Sequence, residues 1–147
     1  MLNKDVQKMY LYMFVTMIIF AELLFILFFS KERIDTFIVL FCLLAQINLI
    51  IGIEIENPER ISLSHFAFGA SLIAIPLLSY NLWLLSIVLI IIMITIIFRH
   101  KNTGGPITTF DKNVVDYSFG GRINWDYMYV FFGAIALFKL WYVWRKR

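Results

Sequence analysis

A single cysteine, Cys42, among 147 residues excludes an intramolecular disulfide and any cysteine-rich metal site. Charge is equally scarce. Charged residues make up 16% of the chain, and 13 Lys and Arg stand against 10 Asp and Glu. The resulting net charge of +3 is spread along the sequence and leaves no basic patch for nucleic acid. Catalytic signatures are missing too: there is no His-Glu-x-x-His helix, no Gly-x-Ser-x-Gly elbow and no nucleophile-base pair at matching depth. The turn Gly104-Gly105-Pro106 lacks the Gly-x-x-x-x-Gly-Lys spacing of a phosphate loop. No Thr-Val-Gly-Tyr-Gly filter occurs, and the first apolar stretches do not repeat later as they do in inverted-repeat transporters. These absences argue against an enzyme, and no cofactor or metal is expected.

Apolar side chains are what the chain has. Hydrophobic residues account for 61% and aromatics for 18%, and mean hydropathy is +0.82, well outside the range of soluble domains. They gather in five stretches, Tyr10–Phe29, Phe37–Ile53, Ile61–Tyr80, Leu82–Phe98 and Tyr127–Trp144. Each stretch, at roughly 1.5 Å per residue, measures about 26–30 Å as a helix, the hydrocarbon thickness of a bilayer. Period-2 alternation is absent, which excludes a barrel, and backbone groups in lipid must then be satisfied within helices. The expected fold is all-α: one integral membrane domain, a polytopic transmembrane bundle of about five spans, with the lipid bilayer as its solvent. Lys4 and Lys8 precede the first run as in a secretory signal. That run is too long and no small-x-small site follows Phe29-Ser30-Lys31, so it is expected to remain as the first span.

Between spans one and two, Lys31–Asp35 is long enough for a tight hairpin. Asn57 is placed to cap a helix with Pro58 at its first position and Glu59 facing the positive helix end. Ser79-Tyr80-Asn81, preceded by Pro76, leaves either a very tight hairpin or one long kinked helix. A continuous helix from Pro58 to Phe98 would be about 60 Å long, twice the hydrocarbon thickness, which favours the hairpin. The 99–126 loop is the one substantial polar stretch. Within it Phe110, Val114 and Tyr117 share one helical face, as expected of a short helix along the membrane surface or of a loop packed on the bundle's end. Basic residues divide almost evenly between the two membrane faces. Only the early Lys4 and Lys8 favour a cytoplasmic amino terminus, and Arg145-Lys146-Arg147 argues the reverse.

Polar residues inside the spans are the candidate site. Glu22 lies eight residues before Ser30, about 12 Å below that interface, while Gln46 returns to a depth of about 15 Å and Ser71 arrives from the other side. Glu22, Gln46, Asn48 and Ser71 are therefore expected near one level, either as an ion or proton pathway or as hydrogen-bond glue between helices. Glue is favoured, because one carboxyl with no basic partner at its depth is a poor relay. Ala67, Gly69, Ala70, Ser71 and Ala74 in span three, and Gly133 in span five, are small residues that allow close helix approach and put span three at the bundle's centre. Span four, with no polar face, is expected to border lipid or a partner. His65 and His100 fall near one face, but His100 lies beyond its span, which weakens a haem reading. Glu54, Glu56 and Glu59 beside His65 offer metal-ligand types, although Glu59 is already accounted for as a helix-start charge.

These observations lead to the expectation of a non-catalytic multi-pass membrane protein serving as a structural or accessory subunit beside other integral membrane proteins. The alternative is a small ion or proton conductor, or a transporter component, built around Glu22.

Overall fold

The computed structural model describes residues 4–101 and 124–146, with side chains from residue 13 onward except 98, 99 and 101. Among these residues the chain forms five helices: α1 (Lys4–Phe29), α2 (Arg33–Glu54), α3 (Pro58–Leu78), α4 (Leu82–Lys101) and α5 (Trp125–Arg145). Each apolar stretch lies in its own helix, and most helices run into the charged flanks. The exception is the third stretch, whose Ser79 and Tyr80 fall outside α3. Among the residues whose side chains are described, three helices, α2, α3 and α5, are long and apolar enough to cross a membrane, and α1 and α4 contribute the apolar segments Met13–Phe29 and Leu82–Ile97. Phe110, Val114 and Tyr117, and with them the expected surface helix, lie outside the described residues.

The turn between α2 and α3 follows from its local chemistry. Ile55 ends α2, Glu56 takes φ 52°, Glu56 N donates to Ile53 O (3.2 Å) and Asn57 N donates to Gly52 O (2.8 Å). This is a Schellman closure with a glutamate where glycine is usual. Asn57 then begins the next helix, its Oδ1 accepting from Glu59 N (3.0 Å) and Arg60 N (3.1 Å), with Pro58 at the first position as its spacing predicts. The break at Ser79-Tyr80-Asn81 is similarly built. Ser79 Oγ accepts from Asn81 N (3.0 Å), and Asn81 Oδ1 accepts from Trp83 N (3.0 Å) and Leu84 N (3.3 Å), starting α4 afresh. α3 and α4 are separate helices.

Leu72 and Ile75 of α3 share one core with Leu84, Leu85, Val88 and Ile92 of α4, Leu23 and Ile26 of α1, Val39 and Leu43 of α2, and Ala136 of α5. A smaller cluster of Leu49, Ile53 and Ile61 closes the opposite end of the α2–α3 pair. α3 packs against α2, α4 and α5, the central place expected of it. α4 turns one face to the core, with Leu84 and Leu85 fully enclosed, and Trp83, Ile90, Met93, Ile94 and Ile97 look outward. A helix apolar on every side carries no signal for which side turns inward, so packing alone selects the face. α5 is the peripheral helix. It buries only Phe132 and Ala136 and exposes Phe131, Leu137, Phe138, Trp141 and Trp144.

Candidate functional site

Three of the four polar residues singled out by the sequence, Gln46, Ser71 and Asn48, fall in three separate arrangements. Gln46, 1% exposed, donates from Nε2 to the Thr16 carbonyl of α1 at 2.7 Å. Thr16 itself is buried and turns its hydroxyl back onto Met13 O (2.7 Å), so both polar groups at this level are satisfied between α1 and α2. One turn earlier on α2, Cys42 Sγ donates to Ser71 Oγ (3.3 Å), and Ser71 Oγ donates to Ala67 O (2.9 Å). Asn48 belongs to a third group nearer the α2–α3 turn. Its Nδ2 donates to Ser64 Oγ (2.9 Å) and Arg60 O (3.0 Å), its Oδ1 accepts from Arg60 Nη1 (3.4 Å), and Ser64 Oγ donates to Arg60 O (3.0 Å).

Glu22 joins none of these. It is exposed on α1 and has no hydrogen bond or ion pair with another described residue. The reason is angular: Leu23 and Ile26 take the inward face of α1, and Glu22 falls on the stripe formed by Val15, Ile18, Phe25 and Phe29, all exposed. Depth along a span can be counted from sequence, but rotation about the helix axis cannot when the neighbours are equally apolar.

Close helix approach falls only partly where expected. A Cβ on Gly69 would meet nothing within 4 Å, Ala70 is exposed, and Ala67 and Ala74 are only partly buried. The tight contact is at Gly52, where a Cβ would lie 3.0 Å from Arg60 Cβ and 3.2 Å from the Ile61 backbone nitrogen. Gly133 packs on α4, with a Cβ there reaching 3.5 Å from Ile92 Cγ2. Gly52 stands five residues before Asn57, and this proximity to a sharp reversal was the available signal that its surroundings are crowded.

Two features at the other end of the bundle were not anticipated. Lys139 of α5 donates from Nζ to Leu77 O (2.8 Å) and Ser79 O (3.2 Å), over the Tyr80 ring at 4.1 Å from its centroid. Its ammonium thus satisfies carbonyls at the α3 terminus, where a cation also complements the helix dipole. Nearby, Asp35 in the first turn of α2 is 3% exposed and its Oδ1 has no hydrogen-bond partner. Among the described residues, no three or more His, Cys, Asp or Glu side chains are grouped to hold a metal ion. Compared with family models, curated proteins and solved structures, the chain finds no match in any of the three.

Proposed function

We propose that this chain is a multi-pass integral membrane protein of five spans that serves, without catalysis, as a structural or accessory subunit of a larger membrane assembly. The observation that supports the reading is the exposed position of Glu22. An outward carboxyl on a spanning helix costs roughly 2.5–3.5 kcal/mol near the bilayer centre on insertion scales, so it needs a partner. The stripe around it has the spacing of a helix-pairing seam: Val15, Ile18, Glu22, Phe25 and Phe29 follow one another at three, four, three and four residues, all exposed. A single polar residue in such a seam sets register with a neighbouring helix, here one that offers a side-chain donor. The conductor alternative draws no such support, because Gln46, Asn48 and Ser71 bond within three different pairs of groups and Glu22 stands outside them.

The test is capture from the native membrane. A photocrosslinking residue at Phe25 should join the chain to another membrane protein, and Glu22→Leu should lower the copurified partner while leaving helical content intact. Native mass measurement showing a clean monomer at every concentration, with no copurifying protein, would overturn the reading.

A further inference from the structure

Asp35 lines a cavity of about 380 Å³ at the end of the bundle where α1 stops, α2 begins and the α3–α4 turn passes. Lys31, Glu32 and Asn81 supply the rest of its polar wall, and Tyr80 and Trp83 its aromatic side. Ile26, Phe29, Leu82 and Val143 complete its apolar lining. The volume is many times that of a water molecule, about 30 Å³ in the liquid, and the space is half open to the outside.

The buried carboxylate is the informative group. Asp35 forms no hydrogen bond or ion pair with another described residue, although the Thr36 hydroxyl beside it is engaged with Glu32 O (3.1 Å) and Ser30 Oγ (3.4 Å). Lys139, the nearby cation of α5, is committed to Leu77 O and Ser79 O. Asp35 sits in the first turn of α2, yet that helix end supplies no donor to Oδ1. A buried acceptor of this kind is stabilised by a ligand that brings N–H groups. Two carboxylates and one ammonium line the space, so a compact cation or a zwitterion with its cationic end inward is the complementary charge. A bare metal ion does not fit this donor set, since Glu32 and Asp35 have no third ligand grouped with them among the described residues.

We propose that this cavity binds an ethanolamine-phosphate group, its primary ammonium donating to Asp35 and its phosphate facing Lys31. The proposal rests on the membrane reading for the source of that group: in the five-span arrangement this end of the bundle lies at the level of lipid headgroups. Phosphatidylethanolamine is then the ligand. A choline headgroup carries no N–H and cannot donate to Asp35.

Alkaline extraction of membranes comes first and tests the membrane reading alone: retention in the pellet supports it, and release overturns it. Purified protein is then moved into nanodiscs of equal phosphatidylethanolamine and phosphatidylcholine, and retained lipid is read by native mass measurement. Wild type should retain phosphatidylethanolamine over phosphatidylcholine by about tenfold, the size of one charge-assisted hydrogen-bond contact. Asp35→Asn should abolish the preference. Lys31→Gln, a change at an exposed loop residue, should weaken retention of both lipids, and it keeps the test valid if Asp35→Asn fails to fold. In detergent, free phosphoethanolamine against phosphocholine forms a second arm: a thermal shift with the former alone, without lipid preference, assigns the same site to a soluble ligand. No discrimination between the two headgroups in either arm, or a preference unchanged in a folded Asp35→Asn, overturns the proposal.

Discussion

Gln46 of α2 is hydrogen-bonded through Nε2 to the backbone carbonyl of Thr16 on α1 at 2.7 Å, and this bond is enclosed on all sides. Replacement by Leu keeps the volume and removes the bond, so Gln46→Leu should lower stability by about 0.5–1.5 kcal/mol. Gln46→Ala also opens a cavity and should cost about 2–4 kcal/mol. Reversible unfolding in mixed micelles measures both, and no loss in Gln46→Leu would show that the bond contributes nothing.

Gly52 and Gly69 should respond oppositely to the same change. Gly52→Ala forces α2 and α3 apart at Arg60 and Ile61 and should destabilise by about 1–3 kcal/mol. Gly69→Ala enters open space in a helix interior and should stabilise by about 0.5–1 kcal/mol. Thermal midpoints of the two variants, measured side by side, decide it.

At Glu56 the backbone has φ 52°, a conformation that disfavours any side chain with a Cβ. Glu56→Gly should raise stability by about 0.5–1 kcal/mol. Glu56→Ala separates strain from charge: it keeps the Cβ, so an equal gain from Ala would mean that the glutamate charge and not the backbone is responsible.

The Lys139 ammonium holds the end of α3 against α5 through Leu77 O and Ser79 O. Lys139→Met keeps the stem and removes both bonds, with an expected loss of about 1–2 kcal/mol. Hydrogen–deuterium exchange over residues 79–85 should speed up relative to the α2–α3 turn. Uniform exchange across the molecule would count against a local role.

Much of the helical layout was legible because its signals are local. A run of about 20 apolar residues forms a helix whatever lies beside it, since backbone groups without water bond within the segment. Asn57-Pro58-Glu59 marks a helix start through its own three side chains, and Ser79-Tyr80-Asn81 interrupts a run through two hydroxyl and amide groups that bond to the backbone a few residues on. The same locality limits the reading. Glu22 and Gln46 lie at comparable depths by residue count, yet one is exposed and the other 1% exposed.

Tertiary structure decided which side of each helix turns inward. Where leucine, isoleucine and phenylalanine surround a helix, no hydrophobic periodicity distinguishes Leu23 from Glu22's other neighbours, and rotation is set by how side chains of different shape interdigitate. Gly52 meeting Arg60, Lys139 reaching Ser79 and Asp35 closing into a cavity beside Tyr80 all join residues on different helices. Sequence alone determined which stretches become helices and where the chain turns between them, because those depend on groups a few residues apart. Contacts across the bundle depend on all the helices packing at once, which no single stretch of this chain encodes.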